Sequence, residues 1–193
     1  MRTGETTPPS LFSRLRDGHD SSAWRELDER YRELILRYAQ GRGLQSADAE
    51  DVRQLVMLQL TRCIDRFAYQ PSRGTFRSYL GAMVRHAISR QRAARHRTAE
   101  VFDVELLDRI VTESDDEWDR QWRQHHYRLA MAHVRTTSSP QTMAIFEALL
   151  ADEPVADIAA RQGTTAANIY KVKQRMRERL RERIEEQLRD ERP

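Results

Sequence analysis

Apolar residues recur along this chain at the three-to-four spacing of amphipathic helices, with no run of alternating strand-like positions. Trp24, Leu27, Tyr31, Leu34, Ile35 and Tyr38 trace one helical face, and Gly41 and Gly43 supply its stop. Ser46 or Asp48 can cap the next helix, whose buried stripe is Val52, Leu55, Val56, Leu60, Cys63 and Ile64. Its N-terminal end carries acidic residues, where the helix dipole favours them. Pro71 and Gly74 then break the pattern. Phe76, Tyr79, Leu80, Met83, Val84, Ala87 and Ile88 follow with the strongest helical periodicity in the chain, which turns Arg77, Arg85, Arg92 and Arg95 mostly outward. A further helix is predicted from Trp118 to Arg135, with an interruption from Thr136 to Pro140. Met143, Ile145, Phe146, Leu149 and Leu150 mark a short one, and Pro154 can begin the next. The expected fold class is all-α.

The C-terminal third has the pattern of a helix-turn-helix over 155–177. Val155 to Gln162 forms the first helix, Gly163 the turn, and Thr165 caps a second helix running towards Leu180. Ala159 is small where two helices approach, and Ile158, Ile169 and Val172 can fill the core between them. The second helix then exposes Asn168, Lys171, Lys173 and Arg175, residue types suited to base edges and phosphates. A helical hairpin with a solvated charged face is the plainer alternative, and Arg175 to Arg192 does alternate acidic and basic residues. The DNA-binding reading is therefore confined to 165–175.

Charge divides the chain more sharply than its formal +3 implies. From Arg66 to Ala99 there are eight arginines and no carboxylate, whereas Glu100 to Asp119 holds nine acidic residues against the single Arg109. An acid-free basic block is a candidate polyanion contact. Phe67, Tyr69, Phe76 and Tyr79 lie among its arginines, the combination that grips unstacked single strands. Phe76 and Tyr79 belong to the apolar stripe, so Phe67 and Tyr69 are the freer pair.

Together these segments resemble a bacterial RNA polymerase sigma factor of the sigma-70 family, of the compact extracytoplasmic-function type with only regions two and four. Asp48-Ala49-Glu50-Asp51-Val52-Arg53-Gln54 is similar to the family's D-A-E-D-x-x-Q segment. Phe67 with Pro71 to Leu80 resembles its "RF-x-P-x-R-G-x-F-x-x-W-L" passage. The resemblance implies polymerase contacts at Asp48, Glu50, Asp51, Gln54 and Leu58, with Asp51 and Gln54 sharing one exposed helix face. It implies minus-ten DNA contacts at Phe67, Tyr69, Arg73, Arg77, Arg85, His86, Arg90 and Arg92. Minus-thirty-five contacts would come from Thr165, Ala166, Asn168, Tyr170, Lys171, Lys173 and Arg175. The implied partners are core RNA polymerase, through the clamp helices of its largest subunit and the flap of the second, and promoter DNA, with room for an anti-sigma factor. Leu55 stands where relatives usually carry a second carboxylate, Tyr79 replaces the usual tryptophan, and His86 and Arg90 replace a frequent asparagine and aspartate. Gln162 and Thr164 depart from the usual apolar choices. A distinctive promoter sequence is the implied consequence.

The domain reading follows. Residues 1–9 form a disordered N-terminus, 10–99 a region 2-like helical bundle, 100–119 an acidic linker and 120–190 a region 4-like domain. In a closed form the linker's carboxylates would cover the arginines. No apolar run approaches the roughly 20 residues of a membrane span, no export signal is seen, and lone Cys63 can form no internal disulfide. No membrane insertion and a cytoplasmic location are expected. No cofactor, metal site or catalytic residue is expected either, and so no enzyme. The competing enzyme reading rests on His125, His126 and His133, with His125 and His133 two turns apart on one helix face, too far for direct chelation. Surface histidines there are more simply bystanders. A stand-alone helix-turn-helix regulator is the second alternative, and it leaves Asp48 to Gln54 unused.

Overall fold

The computed structural model describes residues 11–16, 20–64, 75–95 and 115–191, all helices and short connections. Eight helices lie among the described residues: α1 (Leu11–Arg16), α2 (Ser21–Gly41), α3 (Ser46–Cys63), α4 (Phe76–Arg95), α5 (Asp116–Thr137), α6 (Pro140–Leu150), α7 (Val155–Gln162) and α8 (Ala166–Asp190). They divide into two compact units, one reaching Arg123 and joined by the residues from Arg189, the other Gln124–Leu188. The first unit thus runs past the boundary expected at residue 99 and takes in the end of the expected linker.

In the first unit Asp20 starts α2 by accepting the Ala23 N–H at 3.0 Å, and Arg14 braces it at 2.9 Å. The helix stops at Gly41, the Arg42 N–H donates to the Tyr38 and Ala39 carbonyls, and Gly43 turns the chain at φ 88°. Neither Ser46 nor Asp48 caps α3. Gln45 occupies that place without a side-chain bond, because Asp48 is turned inward and only 8% exposed. Leu55 is half-buried at the edge of the core, while Val52, Val56, Leu60, Cys63 and Ile64 are buried as their spacing predicts.

The core is aromatic. Phe12 meets Phe76 edge to face at 4.6 Å between ring centroids, Tyr31 stacks on Trp122 at 5.6 Å, and Tyr38 stands perpendicular to Trp118 at 5.0 Å. Trp118 and Trp122, one turn apart on α5, are both buried. They join this core because the i, i+4 spacing puts both indoles on one face. Gly81 makes room for one of them: a Cβ there would lie 2.6 Å from Trp118 Nε1. The same indole N–H donates to the Arg77 carbonyl at 2.9 Å.

The second unit buries Ala130, Met131, Val134, Met143, Ile145, Phe146, Ala148, Ile158, Ile169, Val172, Met176 and Leu180. Ser139 caps α6, with Pro140 at its first turn. Gly163 ends α7 at φ 58°, where the Thr164 N–H reaches back to the Ala159 carbonyl at 3.0 Å. Thr165 Oγ1 then accepts the Asn168 N–H at 3.2 Å and opens α8. Leu150, one of the apolar residues that mark α6, is 53% exposed at the helix end. His125 and His126 are buried rather than surface bystanders, with His126 Nδ1 2.8 Å from Gln187 Oε1. His133, two turns further along α5, is exposed.

Candidate nucleic-acid interface

On α3 the side chains of Asp51, Gln54 and Leu58 are exposed at i, i+3 and i+7 and form one stripe along the helix. Leu58 is 49% exposed and adds an apolar side chain to the stripe. Asp48 and Glu50, also expected as polymerase contacts, bond to side chains of this chain. Asp48 accepts from Gln91 Nε2 of α4 at 3.3 Å, and the same amide reaches Asp51 at 3.2 Å. Glu50 lies between Arg53 at 3.1 Å and Arg32 at 2.6 Å. The Arg53 hydrogen bond, reinforced by Arg32 and opposed by partial burial, holds its carboxyl below the usual range. Arg53 also binds Asp28 at 2.5 Å, so α2 and α3 are laced together behind the stripe.

On α4 the arginines do not all face outward. Arg77 Nε lies 3.4 Å from Asp119 Oδ1, and Arg85 Nη1 lies 3.9 Å from Asp115 Oδ2. Asp115 Oδ2 also receives Arg42 Nη2 and the Tyr38 hydroxyl, each at 2.5 Å, while Oδ1 caps α5 by accepting the Trp118 N–H at 3.0 Å. Burial works against ionising Asp115, but Tyr38, the Trp118 N–H, Arg42 and Arg85 outweigh it and hold its carboxyl below the usual range. Burial, and then Asp115, push the Tyr38 hydroxyl up to about 12. Arg90 and Arg92 are exposed, and Arg92 donates to the Arg42 carbonyl. His86 is half-buried. Phe67, Tyr69 and Arg73 lie outside the described residues.

On α8 the residues from Ala166 to Arg175 are exposed apart from Ile169 and Val172, which hold the helix to its core. Thr165 caps the helix, and Asn168 Nδ2 donates to Thr164 Oγ1 at 2.9 Å. Tyr170 is 58% exposed. Lys171, Lys173 and Arg175 project with it from a stretch that contains no carboxylate between Gln162 and Arg177.

The sequence alone did not single out Arg42, Gln91 or Asp115. Arg42 was hidden in a glycine-flanked helix stop, Gln91 among arginines, and Asp115 inside a run of acids. Nothing local marks which of those acids turns inward. Among the described residues no group of three or more histidine, cysteine or carboxylate side chains is placed to hold a metal ion. No helix there is long and apolar enough to cross a membrane.

Residues 27–98 match sigma-70 region 2. The match covers a little over a third of the chain and marks this segment as similar to region 2, the part of sigma-70 factors that binds core RNA polymerase and promoter DNA. Region 2 takes in most of α2 and all of α3 and α4, so the exposed Asp51, Gln54 and Leu58 stripe and the arginines of α4 both lie within it. No curated protein matches the chain.

Proposed function

We propose that this protein is a sigma factor of the extracytoplasmic-function type, which carries core RNA polymerase to promoters by reading minus-ten and minus-thirty-five elements. The observation that carries the reading is the Asp51, Gln54 and Leu58 stripe, an exposed face with one carboxylate, one amide and one apolar side chain inside the region 2 match. Such a mixed patch suits docking on a helical partner, here the clamp helices of the largest subunit. Arg90 and Arg92, with Phe67, Tyr69, Arg73, Arg77, Arg85 and His86, serve the minus-ten strand. There stacking and phosphate contacts offset the few kcal/mol needed to unstack a base. Thr165, Ala166, Asn168, Tyr170, Lys171, Lys173 and Arg175 read duplex DNA as a helix-turn-helix, and the 120–190 segment acts as a region 4 that meets the polymerase flap. The polymerase performs the chemistry, so no catalytic side chain is required.

Co-purification of the tagged chain with core polymerase from its host tests the reading. Wild type is expected to retain polymerase and the Asp51→Ala, Gln54→Ala variant to lose most of it. Both side chains are exposed, and the Gln91 amide that Asp51 accepts keeps Asp48 as a partner, so melting should shift little. Absence of polymerase from both samples, with tight binding to a duplex site, would instead indicate a stand-alone regulator.

A further inference from the structure

Three arginines of the first unit converge on the start of α5. Arg42 comes from the end of α2, and Arg77 and Arg85 from α4, two turns apart on one face with Gly81 between them. The anions they meet are Asp115 and Asp119. Arg42 and Asp115 are 2.5 Å apart, Arg85 and Asp115 3.9 Å, and Arg77 and Asp119 3.4 Å. Trp118 is wedged on Gly81 and bonded to the Arg77 carbonyl, which fixes the two carboxylates against the arginines. The side chains of Arg42 and Arg77 remain 41% and 38% exposed, so the cluster opens to solvent rather than lying in the core. Three guanidinium charges face two carboxylates, and one positive charge is left over.

We propose that Arg42, Arg77 and Arg85 form one phosphate track for the unpaired DNA strand, and that Asp115 and Asp119 are its resident anions in the DNA-free chain. The inference rests on the sigma reading and adds to it a DNA contact, Arg42, and an internal competitor. A phosphate carries the same charge as a carboxylate with more acceptor oxygens, and arginine grips either one through paired N–H groups. Strand entry therefore exchanges one anion for another. The exchange weakens DNA binding by the free chain without leaving its arginines unpaired, and it gives promoter contact a threshold that polymerase docking can help to cross.

The test is fluorescence anisotropy of the full chain with a labelled single-stranded oligothymidine over a salt series. An Asp115→Asn, Asp119→Asn variant removes both competing charges. Asparagine at 115 keeps one oxygen to cap Trp118 and puts its amide N–H towards the Tyr38 hydroxyl, which can accept, so α5 is retained, and circular dichroism and melting check it. An Asp116→Asn, Glu117→Gln variant makes the same change of net charge one residue away, where Asp116 is exposed and Glu117 bonds Arg120 and Gln121. The first variant is expected to bind about tenfold tighter at low salt, because its arginines meet the strand without first giving up a carboxylate, and binding should weaken with salt in both chains. The charge-matched control should move little. Adding Arg42→Ala to the first variant should return affinity towards wild type. Unchanged affinity in the first variant, an equal gain in the control, or a gain that survives Arg42→Ala would each overturn the proposal. Polymerase retention reports separately on the sigma reading: a chain that holds polymerase but shows no exchange loses only this inference.

Discussion

The two basic helices of this protein handle their charge in opposite ways. On α4, Arg77 and Arg85 are answered from within, by Asp119 and Asp115 of α5. On α8, Lys171, Lys173 and Arg175 make no ion pair among the described residues and face solvent beside an exposed tyrosine. Local sequence hardly separates the two stretches, since 76–95 on α4 and 166–177 on α8 are both basic and free of carboxylates. The difference arises because α5 folds back on α4 through two tryptophans, while α8 spends its apolar stripe on a core that leaves its charged face uncovered. A basic helix face is thus a ready contact only where no other element supplies the counter-charge.

The comparison breaks most severely at Trp118. Its replacement by alanine should destabilise the first unit by about 3–5 kcal/mol, the usual cost of emptying a large aromatic site, and should release Arg77 and Arg85 from their carboxylates. Urea denaturation followed by tryptophan fluorescence reads the loss. Tyr170→Ala on α8, by contrast, should leave stability within about 0.5 kcal/mol, because the ring is exposed. A large loss at Tyr170 would mean that its face is covered after all. A Lys171→Ala, Lys173→Ala pair sharpens the contrast from the other side. Duplex binding should weaken, with its salt slope falling by about 2 for two phosphates, while melting stays unchanged.

The smallest effect is on acid stability. The folded-state carboxyl of Asp115 titrates below its ordinary 3.8, so the stability it contributes is present above that value and is lost as pH falls through the folded pKa. Thermal melts of wild type and Asp115→Asn from neutral pH down to about pH 3 should therefore differ by a constant amount at neutrality and converge in acid. A difference that grew on acidification would show that the carboxylate is strained rather than held.

Much of the fold was legible. Heptad-like spacing located α2, α3 and α4 within a few residues, and the Gly163 turn with its Thr165 cap was readable because both are local rules of backbone geometry. Asp51 and Gln54 were readable as an exposed pair for the same reason, since residues three apart on a helix share a face. Asp48 and Glu50 were not separable from them in sequence. Which acidic side chain turns towards Gln91 or Arg53 depends on where α4 and α2 lie, and no spacing rule carries that information. His125 and His126 were misjudged in the same way, because a polar pair on a charged helix looks exposed until Gln187 meets one of them.

The sequence by itself determined the helical class, the turns at Gly43 and Gly163, and the segregation of charge into a basic block followed by an acidic one. Those are properties of residues within one or two turns of each other, set by periodicity, backbone freedom at glycine and side-chain capping. Only the tertiary structure decided which arginines are answered. A charge acquires its partner through contacts between elements far apart in the chain, and Tyr38, Arg42, Arg85 and Asp115 are brought to one point by the packing of Trp118 against Gly81.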